Sequence, residues 1–290
     1  MYPTSFAYHR PSTLAEAAAL LQAEPEARIL AGGHSLLPAM KLRLSTPAAL
    51  VDLAAVPGLS GIAAAGDGSS LTIGALTPHG EVATSPLVES SCPLLAETAT
   101  HIGDLQVRNR GTLGGSLAHA DPGADYPTAL LALEATVETG GAQSRQIPIA
   151  DFFRGLLATD LRHDEILTAV RVPTYGAGTG GAYVKHRHPA SSFAVVGVAA
   201  LVTVTGGVCS RVRLAVGGAT VNAVRARAAE EALVGQPPGA EAFRAAAAKV
   251  ASAVERPLGD LYASGEFRLH LAAVLAARAL ATAAARAAGG

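Results

Sequence analysis

An α+β fold follows from three features of the sequence. Residues 1–57 alternate short apolar strands with helical periodicity, residues 58–176 open on a hairpin signature and pass into helices, and residues 177–290 carry strand patterns ahead of alanine-rich helices. At 290 residues the chain can bury a sizeable core and form more than one domain, with those three spans as the expected units.

The first span reads as a small βαβ unit. Thr13 with Glu16 suggests a capping box, and Leu14, Ala17, Ala18 and Leu21 share one helical face. A strand over 28–31 follows, then Gly32-Gly33, a short helix and a strand over 50–53. A loop at the carboxyl end of a strand is where α/β folds usually bind ligands.

In the second span, strands over 61–65 and 71–75 are joined through Asp67-Gly68, a dipeptide that supplies the positive φ of a tight turn. Thr77 then caps a helix with Pro78 in its first turn, and Asp125 caps a helix over 126–134 with Pro127 in the same place. A strand over 164–173 ends at proline. Gly176, Gly178 and Gly181 formally satisfy G-x-G-x-x-G, but a strand-like run over 182–187 follows where a helix N-terminus would have to hold the phosphates, so a flexible glycine loop is expected.

The third span predicts a three-stranded antiparallel sheet over 183–186, 193–205 and 211–216, with Gly206-Gly207 turning its second pair. Helices over 224–234, 241–254 and 266–288 follow, the first two separated by Pro237-Pro238-Gly239. The small side chains of the last helix suit close packing, either within the core or against a partner subunit.

Composition excludes several classes of function. A net charge of −1 without a basic run argues against nucleic acid and anionic membranes. The N-terminus lacks the pattern of a signal peptide, and Arg268, Arg278 and Arg286 interrupt the last apolar helix, so a soluble cytoplasmic protein without a membrane span is expected. Cys92 and Cys209 are too few for a disulfide framework, a four-cysteine zinc site or an iron–sulfur cluster, and read as buried thiols. His186 and His188 share a strand face without a third ligand nearby. Ser35 lacks a G-x-S-x-G elbow, and nothing marks a nucleophile.

Two stretches stand out against this background. Residues 100–134 crowd Arg108, Asn109, Arg110, His119, Asp121 and Asp125 around Gly114-Gly115, which Thr112 and Ser116 flank. Residues 29–43, ILAGGHSLLPAMKLR, run from an apolar strand through Gly32-Gly33, His34 and Ser35 into a helical pattern. Glycine lets backbone N–H groups approach an anion closely, and hydroxyls add donors. Each loop reads either as a phosphate cradle or as a glycine-rich turn with helix caps; two such loops together suit the pyrophosphate of a dinucleotide.

The segments AGGHSLLPAMKLRL and QVRNRGTLGGSLAHADPGADYP closely resemble the FAD-binding medium subunit of molybdenum hydroxylases, the group of bacterial xanthine dehydrogenases and aerobic carbon monoxide dehydrogenase, and the likeness extends over essentially the whole chain. The resemblance implies a two-domain FAD-binding fold of the vanillyl-alcohol oxidase type, with the flavin between the first two spans. It implies that Ala31, Gly32, Gly33, His34 and Ser35, with Leu36 opening the helix behind them, form one pyrophosphate loop, and that Thr112, Gly114, Gly115 and Ser116 form the other. By the same resemblance Ile102 packs near the flavin, Leu167 lies against its ring system, and His119 and Asp125 contact the ribityl and phosphate region. Tyr183 and Lys185 fall where the family surrounds the isoalloxazine, the lysine suited to stabilising negative charge on reduced flavin. Read from the residues alone, Tyr183 is either such a stacking ring or a half-buried strand tyrosine.

The resemblance further implies partner chains: a large subunit with a molybdenum cofactor, where substrate is hydroxylated, and a small subunit with two [2Fe–2S] clusters, assembled as a dimer of heterotrimers. Electrons would pass from those clusters to the flavin and on to NAD, a quinone or oxygen. Two other functions remain compatible with the residues: a self-contained flavin oxidoreductase of the same fold, and a non-catalytic nucleotide-binding subunit.

Overall fold

The computed structural model describes residues 2–289. The chain begins with strand β1 (Ala7–His9), helix α1 (Leu14–Ala23), strand β2 (Ala27–Leu30), helix α2 (Leu36–Lys41) and strand β3 (Ala49–Asp52). β3 lies between β1 and β2 and is parallel to both, with Ala49 opposite Ala7 on one side and Ala27 on the other. The expected cap of α1 forms: Thr13 accepts from Glu16 N, while the Glu16 carboxylate reaches one residue further back, to the N–H and hydroxyl of Ser12. Ala17, Ala18 and Leu21 face inward, and Ala17 and Leu21 join Ala49 and Val51 in a small core.

The middle of the chain runs through β4 (Ile62–Ala64), β5 (Ser70–Gly74), α3 (His79–Thr84), α4 (Pro86–Ser91), α5 (Pro93–Thr100), α6 (Leu105–Arg108), α7 (Leu113–His119), α8 (Asp125–Ala132), β6 (Thr136–Gly141), β7 (Gln146–Pro148), α9 (Ile149–Phe152), the hairpin β8 (Phe153–Gly155) and β9 (Ala158–Thr159), and β10 (Glu165–Pro173). Five of these strands form an antiparallel sheet in the order β4-β5-β10-β6-β7. The Asp67-Gly68 hairpin forms with Ile62 opposite Ile73. Two predicted caps do not. Pro78 is the N-cap of α3, and the Thr77 hydroxyl instead bonds the N–H and carbonyl of Gly61. Asp125 is the first residue of α8, whose N-cap is Ala124, and its carboxylate is engaged elsewhere.

The last part comprises β11 (Thr179–Arg187), β12 (Ala194–Thr205), β13 (Val208–Gly217), β14 (Val224–Arg225), α10 (Arg227–Leu233), α11 (Ala240–Ala247) and α12 (Gly265–Ala288). The expected three strands are joined by a fourth: residues 224–225, predicted as the start of a helix, pair antiparallel with β13, and α10 begins only at Arg227. The helix expected over 241–254 ends at Ala247 and continues as a short 3-10 turn over Val250–Ala253. β12 is almost wholly buried because both faces are covered: Ala199 and Leu201 face the core built around α5 and α8, while Val198, Ala200 and Val202 face α12.

The glycine run over 176–181 is not simply a flexible loop. Its second half belongs to β11, and a Cβ on Gly180 would lie 2.2 Å from the Ala283 carbonyl oxygen and 2.4 Å from the Ala287 nitrogen, so α12 crosses the strand at backbone contact. By length and composition α12 could cross a membrane, contrary to expectation, but it is built as a core helix. It buries Ala272, Leu275, Ala276, Ala279, Leu280 and Ala283 against the sheet, and the two terminal nitrogens of the buried Arg268 donate to the carbonyls of Val195 and Gly218 and to the carboxylate of Asp260.

Candidate functional site

The two glycine loops meet. The first follows the carboxyl end of β2, and a Cβ placed on Gly32 would lie 2.1 Å from the Arg110 carbonyl oxygen and 2.9 Å from Gly111 Cα, so only glycine allows this approach. Gly33 turns the chain with φ 74°, a left-handed value that favours glycine. A Cβ on Gly115 would lie 3.6 Å from that of Ala31. Segments distant in sequence therefore form one wall of one cleft, about 610 Å3 in volume. That is within the roughly 300–1,000 Å3 range of small-molecule and cofactor sites.

The loops do not contribute alike. Among the described residues, no protein acceptor takes the backbone N–H groups of Gly32, Gly33, His34, Ser35 or Leu36, and Ser35 makes no side-chain cap to α2. In the second loop the donors are spent within the protein: Leu113 N on Thr77 O, Gly114 N on Ala75 O, Gly115 N on the Thr112 hydroxyl and Ser116 N on Thr112 O. Gly114 is small because a Cβ there would press on Ala75 at 2.6 Å. What the second loop leaves towards the cleft is the Ser116 hydroxyl and the close-packed start of α7.

Two groups of residues beyond the loops line the cleft. The first is Leu21, Arg28, Leu53, Arg162, His163 and Glu165, tied together where His163 bonds Leu21 O at 2.7 Å. Burial works against the Glu165 carboxylate, but Arg145, the Thr139 hydroxyl and the Arg162 N–H hold it down to about 2. The second is Ile102, Ala124, Asp125, Ser192 and Phe193, its two segments joined where Ala194 N bonds Gly123 O. Leu167 and His119 also line the cleft, so every predicted site residue borders it except Tyr183 and Lys185.

Those two lie behind the wall. Tyr183 is 3% exposed, packed in the middle core, and donates its hydroxyl to Asp125 Oδ1 at 2.6 Å. Lys185 Nζ bonds Asp125 Oδ2 at 2.8 Å and the His101 carbonyl at 3.0 Å. Neither lines the cleft itself: the in-and-out alternation of β11 turns both toward Asp125, which alone of the three reaches it. Burial pushes the Asp125 carboxyl up and the Lys185 ammonium down, each opposed by the other's charge. His186 and His188 pack against Tyr262 on the far side of the strand. Cys92 and Cys209 are both buried, and burial pushes the Cys92 thiol up to about 12.

His79 is a lining residue that sequence reasoning missed. It opens α3, its backbone N–H donates to Gly111 O at 2.9 Å, and burial, aided by His34 and Arg108, pushes its imidazole down to about 4. Its one sequence signal was its place directly after Thr77-Pro78, where a helix start was already expected.

Comparisons with known proteins cover both parts of the chain. Residues 4–175 match the FAD binding domain in molybdopterin dehydrogenase, and residues 181–283 match the CO dehydrogenase flavoprotein C-terminal domain. The chain is 40% identical to the carbon monoxide dehydrogenase medium chain of Hydrogenophaga pseudoflava over 97% of each chain. It is 37% identical to the nicotine 6-hydroxylase medium subunit of Paenarthrobacter nicotinovorans, over 96% of this chain and 97% of that one. Among solved structures it superposes on a carbon monoxide dehydrogenase from Hydrogenophaga pseudoflava that lacks the Mo-pyranopterin moiety of its molybdenum cofactor, with a TM-score of 0.95 at 42% identity over 99% of both chains.

Proposed function

Because the chain belongs to the FAD-binding medium subunits of molybdenum hydroxylases, we propose that the cleft between its two glycine loops holds FAD and that the protein is the electron-transfer subunit of such a complex. The observation that carries this reading is the meeting of the loops at one cleft of cofactor size, with the N–H groups of Gly32 to Leu36 lacking protein acceptors. Unpaired N–H groups at a helix start favour an anion, and the donor set therefore fits a diphosphate. When bound, FAD supplies the redox chemistry, taking electrons from [2Fe–2S] clusters of a partner chain and passing them to an external acceptor.

The chain's own residues bind and orient. Ala31, Gly32, Gly33, His34, Ser35 and Leu36 hold the pyrophosphate, with Thr112, Gly114, Gly115 and Ser116 closing the same site through contact and one free hydroxyl. His119 and Asp125 hold the ribityl and phosphate region, while Ile102 and Leu167 supply apolar contact to the ring. Tyr183 and Lys185 act on this site through Asp125. Substrate hydroxylation belongs to a large molybdenum-cofactor partner and the clusters to a small one; two cysteines in this chain agree with clusters held elsewhere. The reading extends to a vanillyl-alcohol oxidase type of FAD-binding fold with units at 1–57, 58–176 and 177–290, a dimer of heterotrimers, and a cytoplasmic location.

The purified chain is expected to show flavin absorbance and an FAD-dependent rise in thermal midpoint, and to co-purify with a molybdenum-containing chain and an iron–sulfur chain. Absence of both flavin absorbance and the thermal shift overturns the proposal.

A further inference from the structure

We infer that His79 is an uncharged hydrogen-bond donor, through Nε2–H, to the anionic part of the cleft's ligand, an oxygen of a diphosphate-bearing nucleotide. The inference rests on the reading of the cleft as an FAD site and adds to it a residue outside the glycine-loop motifs. Three observations carry it.

First, His79 is 5% exposed and lines the cleft, yet its Nδ1 is sealed from solvent with no hydrogen-bond partner. An unpartnered buried polar atom calls for an explanation. With no acceptor near Nδ1, the ring proton is better placed on Nε2, which makes no protein hydrogen bond and is not sealed. Second, a Cβ on Gly111 would land 2.6 Å from Nε2 and 2.8 Å from Cδ2 of His79. Gly111 has no positive φ, so its conformation does not require glycine; a side chain there would instead have to displace the imidazole and press on the Val107 carbonyl at 3.2 Å. Third, a Cβ on Gly32 would lie 2.9 Å from Gly111 Cα, so the residue packed against the imidazole is also packed against the loop whose N–H groups lack acceptors.

The surroundings keep the ring neutral. Tyr126 packs edge-on at 5.2 Å between ring centroids, and the charged or titratable groups that act on His79 are His34 and Arg108, both disfavouring protonation. A neutral donor adds a hydrogen bond to the ligand without bringing another cation into a buried site.

The test uses the full chain stripped of ligand, titrated with FAD and, separately, with riboflavin, which has no phosphate. His79→Phe keeps a ring and removes the donor; His79→Gln restores an N–H; Gly111→Ala puts a methyl group over Nε2. His79→Phe and Gly111→Ala are each expected to weaken FAD about tenfold or more while leaving riboflavin unchanged, and His79→Gln to recover part of the loss. The ratio of wild-type to His79→Phe affinity for FAD is expected to stay flat from about pH 5.5 to pH 8, as a neutral donor requires. Wild-type affinity for FAD in His79→Phe, equal losses for FAD and riboflavin, or a ratio that titrates as an ordinary histidine would each overturn the inference. If His79→Phe does not fold, His79→Gln and Gly111→Ala decide: FAD binding by Gly111→Ala at wild-type strength overturns it. A wild-type chain that binds no FAD overturns the cofactor reading itself, whereas wild-type and variants binding FAD equally overturn only the role of His79.

Discussion

Lys185 Nζ lies 2.8 Å from Oδ2 of Asp125, with 1% of the lysine side chain and 5% of the aspartate side chain exposed, across 60 residues of sequence. Tyr183 takes the other carboxylate oxygen, so Asp125, an acidic group lining the cleft, is anchored from strand β11 by two partners on alternate residues of that strand. Removing one partner of a buried ion pair leaves an uncompensated charge. Lys185→Met is expected to cost about 3–5 kcal/mol, and the double variant Asp125→Asn/Lys185→Met to recover much of it. A double-mutant cycle by urea denaturation checks this; additive losses would mean the pair does not act as a unit.

The contact between the glycine loops is equally specific. Gly32→Ala would drive a methyl group into the Arg110 carbonyl, and no side-chain rotation relieves a clash with backbone. The variant is expected to lose flavin retention and at least about 1–3 kcal/mol of stability. Gly33→Ala pays for a φ of 74° and meets the Leu37 side chain at 2.9 Å, which can shift, so its loss is expected to be smaller, on the order of 1–2 kcal/mol. Thermal midpoints and the bound flavin-to-protein ratio rank the two; the reverse order would contradict the loop contact.

Acid stability should fall in two stages. The His79 imidazole is held at about 4 by burial, below its ordinary 6.5, so the unfolded chain takes up a proton that the folded chain refuses. Its part of the stability is complete above pH 6.5 and is lost as pH falls through the interval down to about 4, by about 3 kcal/mol at most. Glu165, held at about 2 against an ordinary 4.5, adds a second loss as pH falls from 4.5 towards 2. His79→Phe is expected to remove the upper stage and leave the lower, which chemical denaturation across this pH range measures directly.

Two glycines of one run are predicted to respond oppositely. Nothing lies within 4 Å of a Cβ on Gly176, and Gly176→Ala is expected to change stability by no more than about 0.5 kcal/mol. Gly180→Ala would meet the backbone of α12 at Ala283 and Ala287, and is expected to cost about 3 kcal/mol or more by lifting the helix from the sheet. Thermal melts of the two variants separate a loop glycine from a packing glycine.

Local chemistry was legible in the sequence. The Thr13 and Glu16 caps, the Asp67-Gly68 hairpin, the strand-to-glycine turn at Gly32-Gly33 and the alanine-rich last helix all stand close to where the residues placed them, because each depends on neighbours a few positions away. The glycine-loop part of the cleft was legible for the same reason, whereas lining residues such as Arg28, His79, His163 and Phe193 come from segments outside the two loop motifs. Tertiary structure decided what those residues do with their hydrogen bonds. Asp125 had a helix to cap and instead pairs with Lys185 and Tyr183, because a buried carboxylate is stabilised more by a cation and a phenol than by its own helix start. The second glycine loop spends its N–H groups on Ala75, Thr77 and Thr112, Gly180 yields its side-chain space to α12, and His79 turns up beneath Gly111. Each of these outcomes was set by a segment far along the chain, whose approach no local pattern encodes.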